Sequence, residues 1–179
     1  MITRRVMSIA ARTLVLAGAA SGCAQRGAAE QGKGDQALVS AQLANFDDLD
    51  FNVFSNQRWN ELRHSHSDDI VVHWPDGRVT HGIDQHIADL AAMFVYAPDT
   101  RIKQHPIKIG QQDWTAVIGV MEGTFSKPMP TADGQTIAPT LEPFSLEMAT
   151  FGHWKNGVMD EEFLFWDNQA FMKQIGLAK

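Results

Sequence analysis

Asn156-Gly157 stands between two aromatic-rich runs, FSLEMATFGHW and VMDEEFLFW. Both residues tolerate the positive φ that a two-residue hairpin turn demands, so the pair predicts antiparallel strands over residues 145–154 and 158–166. In the second strand the two-residue period sets Glu161, Phe163, Phe165 and Asp167 on one face and Asp160, Glu162, Leu164 and Trp166 on the other. Neither face is simply polar. The sheet is therefore expected to carry helices on one side and to curve around a cavity on the other, with Asp167 at the strand end either looking into that cavity or capping its rim.

The preceding elements follow from period and punctuation. Residues 37–64 read as helix, with Leu43, Phe46, Leu49 and Val53 at three- and four-residue spacing and the poor helix formers Asn52, Ser55 and Asn56 marking a kink near Ser55. A short strand over 70–74 stops at Pro75-Asp76-Gly77 and returns over 78–82. A second helix over 83–95 shows the stripe Ile83, Ile87, Leu90 and Phe94, with Asp84 at the positive end of the helix dipole. Strands are expected at 101–109 and 114–125, and residues 126–143, holding four prolines, read as a long loop or lid. Helices followed by a block of strands indicate an α+β fold with the helices on one face of the sheet.

The N-terminus reads differently. Arg4 and Arg5 precede a small and apolar run that ends at Ser21, Gly22 and the one cysteine, Cys23. A positive region, a short apolar region and small residues before a processing point describe an export signal. Residues 1–23 are assigned to it: Thr3-Arg4-Arg5-Val6-Met7 resembles a twin-arginine signal, and Ala20-Ser21-Gly22-Cys23 resembles a lipoprotein signal with Cys23 as the lipidated residue. Residues 24–36 read as a flexible tether and 37–179 as the folded domain, exported to the periplasm or held at a membrane only through Cys23. Removing residues 1–23 takes away three of 15 basic and none of 21 acidic residues, moving the net charge from −6 to −9. Such a surface repels polyanions and argues against nucleic-acid binding.

Several stretches together resemble the SnoaL-like polyketide cyclase and ester-cyclase family, a branch of the nuclear-transport-factor-2-like cone fold. They are Trp74-Pro75-Asp76-Gly77 before His81-Gly82, Tyr96-Ala97-Pro98-Asp99, Gly123-Thr124, Asn156-Gly157, Glu161-Glu162, Trp166-Asp167 and Gln174-Ile175-Gly176-Leu177. The resemblance implies a cone-shaped barrel built from a strongly curved, mostly antiparallel sheet with N-terminal helices packed on it. It also implies acid/base chemistry without a cofactor in an apolar cavity, with Asp167 as the acid/base aspartate. Where the family often has a histidine after its Gly-Thr pair, this chain has Phe125.

Among seven histidines, His73 shares strand parity with Val71, and His105 with Ile107 and Ile109. Both are candidates to face the cavity beside Asp167. His64 and His66 read as solvated residues at a helix end, His81 and His86 as packing residues, and His153 as a rim residue. With no HxxxH or HExxH pattern and no third ligand near His64-Ser65-His66, no metal site is read. No GxSxG supports a serine nucleophile. Trp59, Tyr96, Trp114, Glu122 and Phe165 are the expected cavity lining, suited to an aromatic or polycyclic carbonyl compound. Two readings stay open: an acid/base cyclase or isomerase, and a non-catalytic ligand-binding or dimeric interaction domain whose cone is filled by its own aromatic side chains. A homodimer through the outer sheet face is expected.

Overall fold

A computed structural model of the chain describes residues 20–179. The folded unit comprises Asp35–Lys179. Residues 1–19 of the stretch 1–23 read as an export signal, and the side chain of Cys23, lie outside what is described. Residues 24–36, expected as a tether, fall within α1 (Ala20–Asp48). No helix among the described residues is long and apolar enough to cross a membrane.

The C-terminal part of α1 buries Val39, Gln42 and Phe46, and the stripe continues into Leu49 and Val53. At Leu49–Phe54 the helix widens into a π-helical turn. Ser55 ends it, and its hydroxyl donates to the carbonyl of Asp50 at 2.6 Å and accepts from the amide of Ile102 at 2.9 Å. The expected kink at Ser55 is thus a pin that ties the helix end to the sheet. A 3-10 turn, Trp59–His64, leads into β1 (His66–His73), which β2 (Val79–His81) flanks. Helix α2 (Ile83–Tyr96) turns Ile83, His86 and Phe94 inward.

The expected strand over 101–109 is two pieces, β3 (Arg101–Ile102) and β4 (Ile107–Gln111), both paired with β5 (Trp114–Thr124). Five steps from Ile102 to Ile107 span three on β5, from Met121 to Ile118. The surplus residues bulge out of the ladder at Pro106, which has no amide to donate, and this bulge carries His105. Residues 126–143 hold a small separate hairpin, β6 (Met129–Pro130) with β7 (Thr136–Ile137). The last hairpin is β8 (Pro143–Lys155) with β9 (Val158–Phe165), turned at Asn156 (φ 54°) and Gly157 (φ 87°) as the pair demands. A short helix, α3 (Asn168–Gln174), closes the chain.

The main sheet has the order β2-β1-β9-β8-β5-β3, with β4 also on β5. All pairs are antiparallel except β1 with β9. The fold is α+β and the sheet is curved, as expected, but it does not close into a barrel: β2 and β3 remain edges. Its inner face builds two apolar clusters, one around Phe46, Ile70, Val117 and Leu164, the other around Phe94, Met121, Phe125 and Phe144.

Gly123 sits where strand and core meet most closely: a Cβ there would come 2.7 Å from Cζ of Phe144 and 3.1 Å from Oγ1 of Thr100. Gly123→Ala is expected to lower folding stability by about 1–3 kcal/mol through overpacking, read as an earlier midpoint in urea unfolding.

Candidate functional site

Between the two apolar clusters lies a cavity of about 70 Å³. Leu49, Phe54 and Ile102 close one side, Leu90, Met93 and Trp74 another, and Met121, Met148, Leu164 and Trp166 form the sheet wall. Into this apolar space project six polar side chains: Asp50, His66, His86, Asp89, Thr150 and Glu162. A small, mostly apolar space with a few convergent polar groups has the makeup of a ligand site.

Asp50, four residues after the buried Phe46, lies on the inward face of the helix within the π-helical turn and is only 7% exposed. Its Oδ2 lies 2.8 Å from Nε2 of His105, whose Nδ1 lies 2.7 Å from Oδ1 of Asp47. Lys108 in turn donates to Oδ2 of Asp47 at 2.5 Å. With a carboxyl oxygen at each ring nitrogen, His105 is placed to hold a proton on both. Burial works against its charge, but the bonds to Asp50 and Asp47 outweigh burial and raise its pKa above the ordinary value. Burial also raises the pKa of Asp50, more than its bond to His105 lowers it. Asp47 goes the other way: its partial burial is outweighed by the bonds from Lys108 and His105.

Glu162 stands on the inner face of β9, opposite Gly152, with 4% exposure. Its Oε2 is 3.4 Å from Nε2 of His86 and 3.9 Å from Nε2 of His66. Both imidazoles are 2% exposed. Burial pushes His86 down to about 4, so it is neutral near neutrality. The bulge between His66 and Val71 in β1 sets His66 beside β9 in this arrangement.

The residues expected to form the site lie elsewhere. Asp167 is exposed and caps α3, accepting from the amide of Ala170 at 2.9 Å; it does not face the cavity. The physical reason is parity: β9 turns Glu162, Leu164 and Trp166 inward, so the face carrying Glu161, Phe163 and Phe165 is the outer one. His73 follows that face, stacked on Phe163 at 4.1 Å and bonded to Glu161 at 2.9 Å. His105 is the one expected histidine that reaches the cavity wall, and it does so through Asp50. Trp114 and Phe165 are exposed on the outer face, 40% and 52%. Glu122 is exposed at the end of β5 beside Arg101 and Lys103. Trp59 packs on Phe54 and Phe94, and Tyr96 packs edge-on to Phe125 with burial lifting its phenol to about 12. No metal set was expected, yet His66, His86 and Glu162 each turn a ligand-type atom to within 4.8 Å of the others.

The sequence does not by itself place Asp50, His66, His86 and Glu162 at this cavity. The signal for Glu162 was its shared parity with Leu164 and Trp166. The signal for Asp167 as a cap was the run Asn168-Gln169-Ala170 that follows it, since an aspartate before helix formers is a helix start.

The model of the SnoaL-like polyketide cyclase family matches residues 45–175. Among solved structures, IdmH of Streptomyces antibioticus, a proposed polyketide cyclase, is 19% identical with a TM-score of 0.65, over 75% of this chain and 98% of that one. A proposed SnoaL-like polyketide cyclase from Jannaschia sp. CCS1 is 17% identical with a TM-score of 0.67, over 78% and 94%. A protein of ketosteroid isomerase-like fold from Catenulispora acidiphila, in complex with trimethylamine, is 14% identical with a TM-score of 0.59, over 76% and 92%. At these identities the likeness is one of fold. No curated protein matches the chain.

Two measurements check the geometry. A raised folded pKa contributes stability that is complete below the unfolded value and lost as pH rises through the folded one. The charged groups that act on His105 are Asp50 and Asp47. Wild-type Tm is therefore expected to fall as pH rises above 6.5, and this slope flattens in His105→Gln; an unchanged slope counts against the raised imidazole pKa. Asp167→Ala is expected to cost about 1 kcal/mol through loss of the cap, measured by urea unfolding.

Proposed function

We propose that this chain, which belongs to the SnoaL-like polyketide cyclase family, binds a small apolar carbonyl compound in its cavity and moves protons on it through Asp50. The observation that carries this reading is the buried Asp50 carboxyl, lining an apolar cavity and bonded to an imidazole that a second carboxylate holds from behind. A dry carboxyl with a raised pKa is matched to taking a proton from carbon and returning it to oxygen near neutral pH.

In a ring closure of the aldol type, the Asp50 carboxylate takes the α-proton and leaves an enolate. The enolate carbon then bonds to a second carbonyl carbon of the same molecule, and the new alkoxide takes the proton back from Asp50. The imidazolium of His105 supports the carboxylate form of Asp50 at each return. A cavity of about 70 Å³ suits a compound of a few heavy atoms. Met93, Met121 and Met148 in its walls can repack around a longer one, because an unbranched thioether adopts several shapes at little cost.

Two further parts of the reading concern where and how the domain works. The twin-arginine-like pair and Cys23 support export and lipid anchoring outside the cytoplasm. A second copy is the proposed partner of the outer sheet face, where Ile107, Ile109, Trp114, Phe151 and Phe165 are 40–62% exposed and the pairing sets them on one side.

The test of Asp50 is deuterium exchange at the α-carbons of cyclohexanone, followed by NMR in heavy water. Wild-type protein is expected to accelerate the exchange, Asp50→Asn to lose about 100-fold or more of the acceleration, and Asp167→Asn to keep it. No acceleration, or acceleration intact in Asp50→Asn, overturns the reading. For the outer face, Ile109→Glu with Phe165→Glu is expected to convert a dimer to a monomer in analytical ultracentrifugation; a wild-type monomer refutes the pairing.

A further inference from the structure

We propose that His66, His86 and Glu162 form a binding site for a divalent transition-metal ion of the zinc class in the cavity wall. It stands apart from the chemistry assigned to Asp50, and its evidence is the arrangement of three buried side chains from β1, α2 and β9.

The hydrogen bonds around His66 fix what its ring can offer. The Ser65 hydroxyl donates to the carbonyl of Leu62 at 3.0 Å, and its oxygen lies 2.9 Å from Nδ1 of His66. With its own proton committed to Leu62, Ser65 accepts, so Nδ1 carries the ring proton. Nε2 is then a bare lone pair aimed at Oε2 of Glu162, 3.9 Å away. Neither atom has a hydrogen-bond partner, and both are buried. Two acceptors facing each other out of water are unfavourable unless a cation stands between them. A proton on Nε2 does not repair this, since 3.9 Å is too long for a hydrogen bond. Holding a ligand imidazole by its other nitrogen, here through Ser65, is the usual outer support of a metal-bound histidine.

Distances and donor types fit the same ion. Ligand atoms around a tetrahedral zinc at about 2.05 Å stand about 3.3 Å apart. Nε2 of His86 and Oε2 of Glu162 are 3.4 Å apart, and the three ligand-type atoms lie within 4.8 Å of one another. Closing them on an ion takes movements on the order of 1 Å. Two imidazoles and one carboxylate select zinc, cobalt or iron(II) over magnesium or calcium, which prefer oxygen alone. Three protein ligands leave a coordination position open, and the same three residues line the cavity. An ion held there presents that position to a water or to a ligand carbonyl, whose oxygen it would polarise.

The experiment uses the full chain, dialysed against EDTA and then metal-free buffer, with no organic ligand present. Titration with Zn²⁺ is expected to show one tight site by calorimetry and a rise in Tm. Co²⁺ is expected to give the strong visible bands of a four- or five-coordinate ion. His66→Gln, His86→Gln and Glu162→Gln should each weaken Zn²⁺ binding by at least about tenfold. Ser65→Ala, which leaves all three ligands in place, should weaken it less but measurably, so the proposal stays testable if a ligand variant misfolds. Absence of a stoichiometric site overturns the proposal. So does binding unchanged in the variants, which would place the ion elsewhere, for instance at His153 between Asp113 and Asp160. Because binding is read without any carbonyl compound, its failure leaves the Asp50 reading untouched, and failure of proton exchange leaves the metal site untouched.

Discussion

The register of β9 against β8 decides which carboxylates of β9 are dry. Gly152 faces Glu162 and Phe151 faces Phe163, so Glu162 and Leu164 turn to the core while Glu161, Phe163 and Phe165 turn out. A slip by one residue would bury Glu161 and expose Glu162. The turn at Asn156 and Gly157 holds this register at one end, and the side-chain amide of Asn45 on α1 donates to the Gly157 carbonyl at 3.3 Å. Parallel pairing of β1 with β9 then brings His66 to the same wall. The sheet-borne polar groups of the cavity, His66, Thr150 and Glu162, depend on that alignment.

A second constraint is the shape of the helix end. Asp50 stands within the widened turn Leu49–Phe54. The widened turn is stable because Ser55 satisfies backbone groups on both the helix and β3. The bulge before β4 meets it from the other side with His105. Neither irregularity alone brings an acid and an imidazole together; the two deviations from regular structure face each other across the interior.

Much of the fold was legible. The Asn-Gly hairpin, the stripe of α2, the break near Ser55 and the α+β order all follow from short-range rules, because turn chemistry and hydrophobic period are local properties. The site was less so. Period two correctly separated the residues of β9 into two sets, but period alone cannot say which set is inside when both carry acids and aromatics. Phe163, Phe165 and Trp114 are large and apolar and yet lie outside, and Glu162 is charged and yet lies inside. His66 was read as a helix-end residue because its strand starts four residues earlier than the apolar run Ile70-Val71-Val72 suggests. His86 was read as packing, which is true of its burial and silent about its neighbours. Convergence of β1, α2 and β9 is a tertiary fact with no mark in any one segment.

The chain of groups from Asp50 through His105 and Asp47 ends at Lys108, an amine about one-third exposed. It leads from the apolar interior to bulk solvent without passing through the cavity itself. Hydrogen ions can travel along such a conductor while water molecules stay out. If Asp50 moves protons as proposed, this chain of groups offers a way to recharge it from solvent without opening the fold.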